Sequence, residues 1–216
     1  MPTEQDGLNS INSNLGNKSS FNQAPNNDRG GGSLMAETWA YVWETAKVII
    51  ISLAIIVPIR YYLIQPFFVK GASMEENFHD GDYLLVDEIS YRFSEPSRGD
   101  VVVFRYPENP SQYFIKRIIG LPGETIEIKN GQVTIYNSQT PKGFVLNETY
   151  LSLEQTTSGN IVEGLSQQEY YVLGDNRLQS SDSRRWGPLG ENYITGKVFV
   201  RLWPFNNIIK VEAVAY

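Results

Sequence analysis

Polar and apolar positions divide the chain into three stretches of different texture. Residues Met1 to Ser33 are rich in Asn, Ser, Gly and Gln and run into Asn26-Asn27-Asp28-Arg29-Gly30-Gly31-Gly32. Such a stretch has too few apolar groups to offset the entropy of ordering, which predicts a disordered tail over 1–35. In the second stretch, 36–66, Val48 to Ile59 is almost wholly apolar, and Arg60 then separates it from Tyr61-Tyr62-Leu63-Ile64. With Tyr41 to Lys47 added upstream, the segment reaches the roughly 20 residues that span a bilayer. Trp39, Tyr41, Trp43, Tyr61 and Tyr62 stand where interfacial aromatics belong, Arg60 is placed to snorkel, and Pro58 is tolerable in a membrane helix. A single membrane anchor is predicted. A cleaved leader fits less well, since a long tail precedes the segment and no Ala-x-Ala follows it; a buried soluble helix is the remaining alternative.

From Tyr83 the texture becomes that of short strands. Tyr83–Val86, Val101–Phe104, Tyr113–Ile119, Thr125–Ile128, Val133–Ile135, Tyr170–Leu173 and Lys197–Val200 are β-branched or aromatic runs punctuated by Gly, Pro, Asn and Asp. Asn130-Gly131 between two of them is a type I′ hairpin signal. The expectation is a mainly antiparallel β domain over 67–216, a sandwich or partly closed barrel, preceded by one N-terminal transmembrane helix. Residues 137–168 carry few strand signals and read as a variable loop or insertion.

Composition narrows the chemistry. The 216 residues are 41% apolar, enough for one packed domain, and the net charge of −6 offers no footprint for nucleic acid. There is no Cys, so disulfides, thiolate nucleophiles and Cys-ligated zinc are excluded. The single histidine, His79, excludes a multi-His metal site. Any catalytic base is therefore expected to be Lys, Asp or Glu. No metal or organic cofactor is implied.

Four segments resemble the type I signal peptidases, a family of Ser/Lys proteases. They are Gly71-Ala72-Ser73-Met74 followed by Gly81-Asp82-Tyr83-Leu84-Leu85-Val86; Arg98-Gly99-Asp100-Val101-Val102-Val103-Phe104; Tyr113-Phe114-Ile115-Lys116-Arg117-Ile118-Ile119-Gly120-Leu121-Pro122-Gly123-Glu124; and Gly174-Asp175-Asn176-Arg177 with Ser180-Ser181-Asp182-Ser183-Arg184 and Trp186-Gly187. Lys-Arg-x-x-Gly-x-Pro-Gly and Gly-Asp-Asn-x-x-x-Ser-x-Asp-Ser-Arg, in this order after an anchor, are specific to that family.

The resemblance implies Ser73 as nucleophile and Lys116 as its base, with Ser180 orienting the amine. It implies structural ion pairs Asp175–Arg117 and Asp182–Arg184, and the backbone N–H of Ser73 as oxyanion donor, since Gly71 has no hydroxyl to add. A lysine acts as a base only when neutral, which burial favours, and strand alternation puts Phe114 and Ile118 on the face of Lys116. Met74 and the apolar strand after Asp82 are candidates for lining the substrate pocket. The implied partners are signal peptides of preproteins, cut after small residues of Ala-x-Ala type, and the lipid bilayer. The implied location is the cell membrane or a thylakoid membrane. Arg29 and Lys47 before the anchor, against Lys70 after it, favour a cytosolic N-terminus and a catalytic domain on the exported or lumenal side.

One departure stands out. The family usually continues Ser-Met-x-Pro-Thr-Leu, whereas Ser73-Met74 is followed here by Glu75-Glu76-Asn77-Phe78. Without that proline the segment behind Ser73 is expected to be looser, with two acids near the lysine weakening it as a base. Two alternative readings accompany the main one. The first is a weakened or inactive paralogue that binds signal peptides without cutting them. The second is a self-cleaving Ser/Lys repressor-type protease, against which the anchor and the missing DNA-binding domain argue.

Overall fold

The structure, a computed structural model, describes residues 32–62, 64–75, 77–214 and 216. Residues 1–31 of the expected disordered tail, and Glu76, lie outside the described residues.

Helix α1, Gly32–Tyr62, carries the long apolar run and contains Pro58. Its stretch Glu37–Pro58 is long and apolar enough to cross a membrane: 22 residues at 1.5 Å each reach about 33 Å. The helix stops at Tyr62, and Ile64–Phe68 is already strand β1. Gln65 and Pro66, read from the sequence as the end of the anchor, therefore pair with β2. Proline is tolerated there because β1 is an edge strand.

The remaining strands are β2 Tyr83–Asp87, β3 Val101–Tyr106, β4 Asn109–Gly120, β5 Thr125–Lys129, β6 Gln132–Tyr136, β7 Phe144–Val145, β8 Ile161–Gly164, β9 Glu169–Leu173, β10 Leu189–Gly190, β11 Ile194–Trp203 and β12 Ile209–Lys210. All pairings among the described residues are antiparallel. One sheet has the order β1-β2-β11-β3-β4-β9-β10, with β12 added on β11; the other has the order β7-β6-β5-β8. Neither closes into a barrel, so the expected mainly antiparallel β domain consists of two open sheets. The seven runs read from the sequence are all strands. The Asn130-Gly131 turn has both residues at positive φ, 52° and 81°, as a type I′ hairpin between β5 and β6 requires.

Two strands, β7 and β8, fall inside the segment read as a loop or insertion. They complete the smaller sheet and are too short, at two and four residues, to print an alternating pattern. A short helix α2, Ser183–Trp186, capped by the Asp182 side chain, also escapes any periodicity.

The core explains why β4 is the strand that matters. Alternation along β3 sends Val101 and Val103 into one apolar cluster and Val102 and Phe104 into another. On β4, Ile115 joins the first cluster and Ile118 the second. Ile119 joins a third that ties the two sheets together through Ile126, Ile128, Val133 and Ile135. Residues from Ile115 to Gly120 are all buried, because β4 lies between β3 and β9 and is covered on both faces. A lysine and an arginine, Lys116 and Arg117, sit in the middle of that run.

Candidate active site

Lys116 faces Val102 across the β3–β4 ladder and is only 3% exposed. Burying an ammonium is costly unless it is paired, and a lysine so placed tends to give up its proton. Its Nζ donates to two oxygens: Ser73 Oγ at 2.7 Å and the carbonyl of Ile115 at 2.7 Å. The Phe114 ring lies 5.4 Å from Nζ, on the face that strand alternation assigns it. Burial pulls the lysine down to about 8, although the carboxylates of Asp182 and Asp175 pull the other way.

Ser73 arrives from the turn after β1. Gly71, at φ +86°, lets the chain bend there, and its N–H donates to Asp80 Oδ1 at 2.7 Å. The loop after β9 then holds the turn from the other side. Asn176 N–H donates to the Ser73 carbonyl at 3.1 Å, and its side-chain amide donates to the Ala72 carbonyl at 3.0 Å. The Ser73 N–H donates to no acceptor among the described residues. Ser73 and Lys116 open onto a groove of about 650 Å³, whose walls include Phe67, Val69, Leu84, Val103, Tyr113 and Ile115.

A serine hydroxyl accepting from a buried lysine amine at the floor of an apolar groove is a geometry for acyl transfer. The family described as "Signal peptidase, peptidase S26" matches residues 42–203, three quarters of the chain. The chain belongs to that family. Similar proteins include a signal peptidase I of Leptolyngbya laminosa, 36% identical over 76% of this chain and 81% of that one. Signal peptidase I V of Bacillus subtilis strain 168 is 36% identical over 72% of this chain and 95% of that one. A probable signal peptidase I-1 of Synechocystis is 32% identical over 77% and 85%. The crystal structure of a signal peptidase I from Enterococcus faecalis V583, 30% identical, covers 49% of this chain and 97% of that one at a TM-score of 0.41. As a signal peptidase family member the chain is a serine-type endopeptidase and a hydrolase.

The other residues singled out from the sequence fall into two groups. The charged ones are brought together. Arg117 makes a forked pair with Asp175, at 2.8 Å from Nε and 2.6 Å from Nη2, and its Nη1 donates to the Gly99 carbonyl at 2.9 Å. Arg184 makes a second fork with Asp182, both bonds at 2.8 Å. Burial raises the Asp182 carboxyl, but Arg184, the Gly174 N–H and the nearby Ser180 hydroxyl outweigh it and hold it below the usual carboxylate range.

Two residues are not where the sequence reading put them. Ser180 makes no hydrogen bond to Lys116. Its Oγ is buried, has no partner in regular hydrogen-bond geometry and lies toward Asp182, close enough to favour the charged form of that carboxylate. The lysine takes its second bond from its own strand instead, at the Ile115 carbonyl. Met74 does not line the groove. It is fully buried in the cluster of Val69, Phe78, Leu84 and Ile115, with Sδ accepting from the Asp175 N–H at 3.4 Å. The side chain after Ser73 points down into the core, and Val69, Leu84, Val103 and Ile115 form the apolar wall.

Asn77 and Phe78, behind Ser73, are held in place. The amides of Asn77 and Phe78 both bond the Met74 carbonyl, Phe78 is buried, and Arg201 Nη1 donates to the Asn77 carbonyl at 2.9 Å. Among the described residues, the carboxylates that act on Lys116 are Asp182 and Asp175, not Glu75.

The sequence reading also missed Arg177, whose side chain has no solvent exposure. It is held by both oxygens of Glu148, by the Tyr150 and Thr157 hydroxyls and by the Gly174 carbonyl. Its place one residue beyond Gly174-Asp175-Asn176 was a usable signal. Its partners in the 137–168 segment carried none.

Gly174 explains the close fit of this loop to the Ser73 turn. A Cβ there would run into Ser180 Oγ and the Ser73 carbonyl oxygen. With Ser73 as the nucleophile the sequence resemblance implies, Gly174→Ala is expected to displace it and cut kcat about a hundredfold, since misplacement of a reacting group by about 1 Å costs that much. Peptide cleavage by the purified variant measures it.

Proposed function

We propose that this protein removes signal peptides from preproteins at a membrane surface by a Ser73/Lys116 dyad. The observation that carries the reading is the 2.7 Å contact between Ser73 Oγ and the Nζ of a lysine that is 3% exposed. A neutral amine there takes the Ser73 proton as Oγ attacks the scissile carbonyl. The oxygen that gains charge is met by the Ser73 N–H, which has no acceptor among the described residues. The lysine then gives its proton to the departing amine, and a water activated by the same amine releases the acyl group. In this reading Asp175–Arg117 and Asp182–Arg184 brace the loop beside Lys116.

In this reading the substrate lies extended in the groove, with small residues of Ala-x-Ala type beside the cut set against the apolar wall of Val69, Leu84, Val103 and Ile115. Helix α1 holds the enzyme in the cell or thylakoid membrane, with its N-terminus in the cytosol and the β domain on the exported face. The reaction uses no metal, since a lysine serves as base.

Incubating the detergent-solubilised chain with a labelled preprotein bearing an Ala-x-Ala site tests this. Release of the mature product is expected, and its failure to appear would overturn the reading. Under subsaturating substrate the rate should climb with pH through a midpoint near 8, as Lys116 loses its proton. EDTA should leave the rate unchanged. A rate that falls on raising pH from 6 to 9, or one lost to chelator and restored by zinc, would contradict the lysine-base mechanism.

A further inference from the structure

Asn77 stands where the family usually has threonine, in the stretch that departs most from the family's pattern. Its side-chain amide is nevertheless among the best engaged near the site. Nδ2 donates to Asp175 Oδ2 at 2.8 Å and to the Tyr150 carbonyl at 3.1 Å. The first bond joins the Ser73 segment to the carboxylate that Arg117 grips from β4, one residue beyond Lys116. The second joins it to the long segment between β6 and β9. The Arg117 guanidinium in turn lies over the Tyr150 ring, 4.2 Å from its centre. One amide thus connects the element that carries the nucleophile to the element that carries the base.

We infer that Asn77 is a positioning residue for the reaction, its amide fastening the Ser73 segment to Asp175 so that nucleophile and lysine are held at bonding distance. The inference rests on the Ser73/Lys116 reading of the site. Hydrogen bonds to a charged group are the strong ones, and this one spans two elements that no strand pairing joins at that point. Losing it frees the segment to drift by a fraction of an ångström, which a serine–lysine contact at 2.7 Å does not tolerate.

The same bond has an electrostatic consequence with a fixed sign. Among the described residues, the charged groups around Lys116 are Asp175, held by Arg117 with Arg177 nearby, and Asp182, held by Arg184. Taking the Asn77 donor from Asp175 leaves that carboxylate less compensated and favours the protonated lysine. The pH midpoint of the rate should then rise.

The experiment uses the full chain in detergent and compares wild type with Asn77→Ala, Asn77→Thr and Asn77→Asp, with Ser73→Ala as control. Asn77→Ala should lose about ten- to a hundredfold in kcat, with KM little changed and the pH midpoint moved upward. Asn77→Thr keeps a donor and should recover most of the rate with the midpoint near wild type. Asn77→Asp sets a second carboxylate against Asp175 and should move the midpoint further than alanine. A merely structural role would scale kcat by the folded fraction at every pH and leave the midpoint in place; that result, or an Asn77→Ala enzyme at wild-type rate, overturns the inference. If Asn77→Ala does not fold, the midpoint of the Asp variant decides by the same criterion. Activity in Ser73→Ala would instead bring down the dyad reading, whatever the Asn77 variants do.

Discussion

Lys116→Met is expected to abolish peptide cleavage and at the same time to raise the melting temperature of the β domain. The loss of activity follows from the proposed dyad: without the amine, Ser73 keeps its proton, and removal of either partner of such a unit costs on the order of 10⁴-fold or more. Ser73→Ala should do the same, and the double variant should be no worse than either.

The gain in stability follows from burial. The folded lysine sits at about 8 against an ordinary value of 10.5. Below pH 8 the folded protein carries a buried ammonium, which costs about 3 kcal/mol. That cost shrinks as pH rises from 8 to 10.5, where the unfolded chain binds more protons than the folded one, and is absent above. Methionine matches the lysine stem in length and removes the charge, though it also frees Ser73 Oγ and the Ile115 carbonyl. A net rise of about 5 °C at pH 7, dwindling by pH 10, is the expected calorimetric result. A variant that melts below wild type at pH 7 would mean that the amine's two hydrogen bonds outweigh its desolvation.

The opposite result is expected at Asp175. Its carboxylate is buried, accepts twice from Arg117 and once from Asn77, and is the group on which the Ser73 segment and the Lys116 strand converge. Asp175→Ala leaves a guanidinium that is 5% exposed without its counter-ion. Breaking a buried pair from one side costs about 3–5 kcal/mol, a fall of roughly 10 °C in a domain of this size. Adding Arg117→Met should return most of that loss, because the penalty lies in the orphaned charge. Whatever activity the single variant keeps should show its pH midpoint shifted downward, since a carboxylate that favours the charged lysine has gone. Thermal melts and a rate–pH profile read both effects. A small change in melting temperature would show that water reaches Arg117 once the aspartate is removed.

Much of this was legible in the sequence because strands write their faces at every second residue. The seven runs follow from their β-branched and aromatic residues, the neighbours of Lys116 on β4 from that period, and the Asn130-Gly131 turn from the positive φ both residues adopt. The pairs Arg117–Asp175 and Arg184–Asp182 were reachable through the motifs that hold them.

Other features depend on contacts between segments far apart in the chain, which leave no local period. β7 and β8 owe their existence to β6 and β5 beside them. Met74 turns inward because the Asp175 N–H and the core behind it offer more than the groove does. Asn77 read as a defect beside a missing proline, and only the folded chain brings Asp175, 98 positions away, to its amide.

The anchorage of Arg177 bears on how far this molecule can be edited. Glu148, Tyr150 and Thr157, with Gln155 accepting from the Arg177 N–H, all come from the stretch between β6 and β8 that looks dispensable by composition. Cutting that stretch back to a tight turn, a common step when trimming an enzyme for crystallisation or for grafting onto another scaffold, would strand a guanidinium with no exposure two residues from Asp175. The lobe and the site are thus a single module for engineering purposes. A graft that carries Ser73, Lys116 and Asp175 but omits Glu148 and Tyr150 would need a replacement at Arg177 before it could fold.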